Sequence, residues 1–256
     1  MKVVLCIKPV RSDLVYSNEK RNEQYAINPY DLKALKDLVR LKEKADCHIS
    51  CVCMGAMASE VALIKAIALG ADEAILLNDN AFIGSDTVAT TFILAKAIEK
   101  IGDVDLVVCG EKSVDGETGQ VSFGISERLQ LMSYAGIDTI LEVGEGTIVL
   151  KAKSEDMIKT MRVSYPAVLT YKDFDLEIGN MSLLALKKAK RKGVTVWKAA
   201  DMNLDPEQCG DKGSKTKVSN IQYELIKKQS EMIQGETFDK ASAILSLLSH
   251  RKIGSV

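Results

Sequence analysis

The stretch "VDLVVCGEKSVDGETGQVS", residues 104–122, decides how the chain is read. Leu106 to Cys109 is an unbroken apolar run, the mark of a strand buried on both faces. It stops at Gly110 and gives way to a loop with Glu111, Asp115, Glu117, Gly116 and a Thr-Gly-Gln step, after which helical periodicity begins. A strand-to-helix connection needs only a turn and a cap, so this one is over-equipped. A helix N-terminus exposes unpaired N–H groups and a partial positive charge. Thr118, Gly119, Gln120 and Val121 therefore offer successive amides to a phosphate. Asp115 and Glu117 repel phosphate and are expected to accept from loop N–H groups, a ribose or a hydroxyl.

The same unit recurs toward the N-terminus. Apolar runs at 2–8, 47–55, 73–79 and 105–110 alternate with helical patterns at 28–45, 58–71, 85–102 and 118–131. Leu32, Leu35, Leu38, Val39 and Leu41 form a stripe near the 3.6-residue period, and Asn28-Pro29 reads as a cap with proline in the first turn. Alternating strands and helices with near-continuous apolar strands predict a parallel sheet covered by helices on both faces. Such sheets bind ligands beyond the carboxyl ends of the strands, where strand order reverses.

Polar or small residues cluster at those ends. "CIKPV" (6–10) carries Cys6, Lys8 and Pro9; "CMG" (53–55) carries Cys53 and Gly55; "GSDTVATT" (84–91) opens a helix with Asp86, Thr87 and Thr90. The last of these also reads as an ordinary helix cap. Neither the dinucleotide fingerprint G-x-G-x-x-G nor the P-loop is present, which argues against an ordinary dehydrogenase or P-loop enzyme.

Beyond residue 132 the pattern changes. Residues 135–153 read as a hairpin turning at Gly144 and Gly146, followed by two extended pieces, a basic helix around 187–192 and a strand. The run 203–219 is a linker by composition, and 238–254 is an amphipathic helix apart from the main body. The domains expected are 1–202, an α/β nucleotide- or flavin-binding domain; 203–235, a linker or arm; and 236–256, a helix packing on another chain.

Composition narrows the function. The chain has 256 residues, a net charge of −1 and two histidines. So little histidine leaves almost no material for a Ser-His-Asp or Cys-His mechanism, and any catalysis is expected to fall to a cofactor. No catalytic side chain is assigned. The charge gives no reason to expect nucleic acid, and no run is long enough to span a membrane. Cytoplasmic location is the expectation. Cys47, Cys51 and Cys53 share a strand face, which leaves open a metal site or a buried sheet of a reduced protein. No C-x-x-C motif supports the metal, and none is assigned.

In order along the chain, "CIKPV", "INPYDLKAL" (27–35), "CMG", "LVVCGEKSVDGETGQV" (106–121), "YPAVLT" (165–170) and "KKAKRK" (187–192) resemble the β (small) subunit of electron transfer flavoproteins. Within that family, "SDTVATT" (85–91) and "DGETGQV" (115–121) are similar to the electron-bifurcating branch, with a departure at Ser122-Phe123, where the branch often has Gly-Pro. The resemblance implies an adenine-nucleotide-binding, Rossmann-like α/β fold with antiparallel additions and a C-terminal helical arm. It implies a heterodimer with an α subunit that carries FAD. In the bifurcating branch the β subunit holds a second FAD, which takes hydride from NADH. One electron then goes to ferredoxin and the other, through the α-subunit FAD, to a partner dehydrogenase. In the ordinary branch the β subunit holds structural AMP.

Carried onto this sequence, the resemblance places Cys6, Lys8 and Pro9 along the nucleotide, with Asn28, Cys53 and Gly55 near its adenosine. It sets Gly110, Asp115, Thr118, Gly119, Gln120 and Val121 around the phosphates, and Asp86, Thr87 and Thr90 near flavin or NADH. Leu183 and Leu184 match a docking loop for partner dehydrogenases. The chain is then a redox subunit rather than a stand-alone enzyme. An AMP-holding electron shuttle, an adenine-nucleotide sensor and a metal-binding protein are the competing readings.

Overall fold

The computed structural model describes residues 1–15, 24–176, 181–220 and 233–250, the side chains of 248–250 apart. The chain divides into two units, Met1–Lys217 and Val218–Val256.

The first unit opens with β1 (Lys2–Cys6), β2 (Pro9–Arg11), a turn of helix α1 (Ser12–Val15) and β3 (Tyr25–Ile27). There follow α2 (Pro29–Leu41), β4 (His48–Met54), α3 (Glu60–Leu69), β5 (Glu73–Leu77), α4 (Thr87–Ile101), β6 (Leu106–Gly110) and α5 (Val121–Leu129). Next come β7 (Met132–Val143), β8 (Thr147–Lys153), β9 (Ile158–Ser164) and β10 (Ala167–Tyr171). The unit ends with α6 (Leu183–Lys192), β11 (Thr195–Trp197) and the short α7 (Gly210–Gly213). The second unit contains α8 (Thr237–His250), on which Phe238, Leu245 and Leu247 are exposed. Residues 251–254 of the expected terminal helix lie outside the described residues.

Nine strands form one sheet in the order β11-β5-β4-β1-β6-β10-β7-β8-β9. Pairing is parallel from β11 through β7 and antiparallel for β7–β8 and β8–β9. Strand side chains alternate between faces, and here both faces are covered. Val3, Leu5, Ile49, Cys51, Leu106 and Val108 pack with Leu32, Leu35 and Leu38 of α2 and Leu63 of α3. Val4, Val52, Val107 and Val168 pack on the other side with Ile93 and Leu94 of α4 and Ile125 of α5. Full burial of each such side chain is worth about 1.5–3 kcal/mol. This is why the strands read as continuous apolar runs.

The expected hairpin is present as β7–β8, and β9 extends it. Of the two extended pieces, the second returns inward: β10 inserts in parallel between β6 and β7. Cys47, Cys51 and Cys53 lie in the core with α2 and α3. Among the described residues no group of three or more His, Cys, Asp or Glu could hold a metal, and no helix is long and apolar enough to cross a membrane.

The polar run expected as a linker from 203 begins inside the first unit, which extends to Lys217. Leu204 and Cys209 are buried, and the backbone N–H of Asp211 bonds the Ile83 carbonyl at 3.0 Å. Burial of these two side chains in the core on the α4 side of the sheet and backbone hydrogen bonds together hold this stretch.

Candidate functional site

β1 is flanked by β4 on one side and β6 on the other. From β1 the chain builds outward to β4 and β5, then crosses back to β6. The carboxyl ends of β1 and β6 are thus the point where strand order reverses, the place where open α/β sheets form a binding crevice. A cavity of about 360 Å³ lies there. Cys6, Ile7 and Lys8 line it from the exit of β1, Val52 and Met54 from β4, and Cys109 and Gly110 from β6. The loop after β6 contributes Glu111, Lys112, Ser113, Gly116, Thr118 and Gly119, and α5 contributes Val121. Ser85, Asp86, Thr87 and Thr90 close it from the start of α4, and Asn28 and Asp31 from the start of α2.

The loop is shaped by named contacts. Asn28 stands at the cap position of α2, but its side chain makes no cap hydrogen bond. Instead Nδ2 donates to the Lys112 carbonyl at 2.9 Å and Oδ1 accepts from the Val114 N–H at 3.3 Å. The residue read as a helix cap is a brace for the loop. Lys8 Nζ pairs with Asp115 Oδ1 at 2.7 Å, and the same oxygen accepts from the Gly116 N–H at 2.7 Å. Burial pushes the Asp115 carboxyl up, but Lys8 and Ser113 outweigh it and hold it below its ordinary value. Glu117 and Gly119 adopt φ of 51° and 63°, the left-handed region that favours glycine. This bend carries the chain into α5 with Thr118, Gly119 and Val121 on the cavity.

Asp86 is the cap of α4. Its Oδ1 accepts from the Ala89 N–H at 3.0 Å, and its Oδ2 accepts from the N–H groups of Lys215 and Thr216 at 2.7 and 2.9 Å. Burial raises this carboxyl, but the amides of Ala89 and Thr216, the Thr216 hydroxyl and the Lys215 amide outweigh it and hold it at about 2. Asp86 is therefore a clasp that ties residues 214–216 to α4, and Thr87 and Thr90 remain beside it on the cavity wall.

Asp31 was not singled out from the sequence, where it reads as an acidic residue complementing a helix N-terminus. Its Oδ2 accepts from the Lys8 N–H at 2.8 Å and its Oδ1 from the Gly110 N–H at 3.1 Å. Burial pushes its carboxyl up to about 7. The thiols of Cys6 and Cys109 line the cavity as well, and the Cys109 thiol is held well above its ordinary range by a hydrogen bond with Cys6 and by burial.

Of the residues expected at the site, Cys6, Lys8, Asn28, Asp86, Thr87, Thr90, Gly110, Thr118, Gly119 and Val121 line one cavity. Asp115 stands behind Lys8 as its ion-pair partner. Pro9, Cys53, Gly55 and Gln120 are not on the cavity wall. Pro9 begins the β2–β3 ribbon opposite Ile27, and Cys53 is fully buried under the other sheet face. The missing Cβ of Gly55 makes room for the Ser59 hydroxyl, since a Cβ there would lie 2.6 Å from its Oγ. Gln120 is the residue before α5. Leu183 and Leu184 sit elsewhere, at the start of α6, and are 79% and 63% exposed.

The model of the "Electron transfer flavoprotein domain" matches residues 18–202. The chain is 32% identical over 260 residues to the electron transfer flavoprotein subunit beta of Clostridium acetobutylicum, covering 97% of this chain and 98% of that one. It is 36% identical over 220 residues to the protein FixA of Azotobacter vinelandii, covering 83% of this chain and 78% of that one. With the caffeyl-CoA reductase-Etf complex subunit CarD of Acetobacterium woodii it shares 32% identity over 229 residues, covering 89% of this chain and 87% of the relative. A doubly covered parallel sheet, a cavity at its switch point and matches along nearly the whole chain lead to one conclusion: the chain belongs to the electron transfer flavoprotein family, as a β subunit, an electron-transfer protein that works with an α subunit.

Proposed function

We propose that the cavity holds FAD and that the chain serves an NADH-dependent, electron-bifurcating complex. The observation that carries this reading is the convergence of the α5 N-terminus, the α4 N-terminus and Lys8 on one cavity at the switch point. Its volume, about 360 Å³, lies within the range of small-molecule sites, about 300–1,000 Å³. The residues present fit a nucleotide: a left-handed Gly119, amides entering α5 and a rim ammonium suit a diphosphate. When bound, FAD supplies two-electron exchange with NADH and one-electron exchange, with ferredoxin on one side and, through the α-subunit FAD, with a partner dehydrogenase on the other.

The chain's own residues bind and orient. Thr118, Gly119 and Val121 present the turn into α5 to the diphosphate, and Lys8, steadied by Asp115, offers positive charge at the rim. Asn28 fixes the loop against α2. Thr87 and Thr90 face the cavity from α4, where flavin or nicotinamide would lie. The exposed Leu183 and Leu184 would anchor the partner dehydrogenase, and α8 would join the α subunit. A relative named for a caffeyl-CoA reductase complex supports a partner that handles a CoA substrate. Six buried free cysteines support a reducing, cytoplasmic setting.

A second reading, structural AMP in an ordinary shuttle, is favoured by the modest size of the cavity, near the lower end of the small-molecule range. Anaerobic titration of the purified heterodimer with NADH tests the first reading. Loss of absorbance equivalent to two flavins is expected. Flavins that stay oxidised under excess NADH would contradict it.

A further inference from the structure

Asp31 joins three elements. It stands in the first turn of α2, and its two oxygens accept from the Lys8 N–H, beyond β1, and from the Gly110 N–H, at the end of β6. β1 and β6 pair from Val3 opposite Leu106 to Leu5 opposite Val108. Past that point the carboxylate bridges them. Gly110 makes the bridge feasible, because a Cβ there would overlap Asp31 Oδ1 and Tyr30 Cβ. The side chain lines the cavity yet is 5% exposed. Two amides and the Asn28 side chain occupy about three of the roughly four lone-pair positions of a carboxylate, so little acceptor capacity remains.

The groups that face it set its charge. Lys8 approaches from β1 and is itself paired with Asp115. Cys53 and Cys51 of β4, and Cys109 of β6, are thiols that burial keeps protonated well beyond neutrality, Cys109 with the help of its hydrogen bond with Cys6. Asn28 hydrogen-bonds from its own end of α2. Burial pushes Asp31 up to about 7, against the pull of the Lys8 amide and Asn28. Across the cavity Asp86 is held at about 2 and stays charged throughout.

Resting on the reading of this cavity as a nucleotide site, we infer that Asp31 is a positioning residue that couples the site to pH: it holds the ends of β1 and β6 at the spacing a diphosphate-bearing nucleotide needs, and it takes up a proton when that ligand binds. A diphosphate brought into the same low-dielectric cavity raises the cost of the carboxylate charge, so the carboxyl is protonated. The bound state then holds more protons than the free state, and affinity falls as pH rises through about 7. A residue that only braced the strands would alter affinity equally at every pH.

The test is calorimetric titration of FAD into the full chain, freed of nucleotide, in the assembly in which it purifies. It is run near pH 6, 7, 8 and 9 in buffers of different ionisation enthalpy, for wild type and Asp31→Asn. FAD is the probe because its phosphodiester oxygens do not titrate near neutrality, whereas the phosphate of AMP does so near pH 6. Wild type is expected to take up a fraction of a proton near pH 7 and to lose affinity by up to about tenfold per pH unit above it. Asp31→Asn is expected to bind more weakly, with no proton uptake attributable to the site and a flat pH profile. Should the variant fail to fold, the wild-type proton count alone decides. FAD binding by wild type without net proton uptake, or uptake retained in Asp31→Asn, overturns the inference and leaves the nucleotide reading intact. A wild-type cavity that takes no FAD overturns that reading and the inference with it.

Discussion

Replacing Asp86 separates two tasks that its carboxylate performs with different oxygens. Oδ1 caps α4 through the Ala89 N–H at 3.0 Å, while Oδ2 accepts from Lys215 and Thr216 at 2.7 and 2.9 Å. Asp86→Asn keeps an oxygen for Ala89 but turns an NH2 group toward two amide donors. Asp86→Ala removes both contacts. A lost cap costs about 1 kcal/mol. The clasp bonds are charge-assisted, but Lys215 and Thr216 are exposed and their amides can turn to water, which leaves about 1 kcal/mol after screening. Asp86→Asn should therefore cost about 1 kcal/mol and Asp86→Ala about 2 kcal/mol, at roughly 2–4 °C of Tm per kcal/mol for a chain of this size. The pH dependence has a definite sign. The folded carboxyl sits at about 2, below its ordinary 3.8, so its contribution is complete above about pH 4 and is lost as pH falls through about 2. Differential scanning calorimetry at pH 7 and at pH 2.5 measures both effects. Limited trypsinolysis reports the release of the segment around Lys212 and Lys215. Variants that match wild type at pH 7, or whose deficit is undiminished at the acid end, would refute the clasp.

Two other substitutions probe the proposed function. Gly119→Val places a β-branched residue at φ 63°, where L side chains are strained, at the turn into α5; the heterodimer should lose the nucleotide of this chain, keeping only the α-subunit FAD, while the circular dichroism spectrum stays that of wild type, and undiminished nucleotide would count against the placement of the phosphates. Leu183→Asp with Leu184→Asp alters two side chains that are 79% and 63% exposed and not part of the cavity lining, so nucleotide content and Tm should hold while electron transfer to the partner dehydrogenase drops at least tenfold; unchanged transfer would remove these leucines from the interface.

Much of the fold was legible because strands buried on both faces must be apolar at every position, as Leu106 to Cys109 are. The location of β10 was not. The run "AVLTY" has the composition of a core strand, but its insertion between β6 and β7 is decided by pairings distant in sequence. The candidate site divides along the same line. Loop and helix-start residues such as Lys8, Thr87 and Gly119 announce themselves by type and position. Asn28 and Asp31 do not, because their side chains reach the Lys112 carbonyl and the Gly110 amide across the fold; Asn28 reads as a cap, and Asp31 as one more acidic residue in the first turn of a helix. The stretch 203–217, a linker by composition, falls inside the first unit for a related reason. Its polar composition marks a linker, whereas it is held by the burial of just two side chains, Leu204 and Cys209, and by backbone groups and Asp86, which composition does not register. Gly55, expected near the adenosine, is not on the cavity wall, and the space its missing Cβ leaves is taken by the Ser59 hydroxyl.

The claim on which the rest depends is that a nucleotide sits where β1, β6, α4 and α5 meet. Denaturing the purified heterodimer and identifying the released small molecules by mass tests it most directly. Two FAD per heterodimer, falling to one when Gly119→Val is introduced, is the predicted result. One FAD with one AMP would replace the bifurcating reading by the structural one, and a heterodimer that releases no nucleotide beyond the α subunit's own FAD would contradict the account.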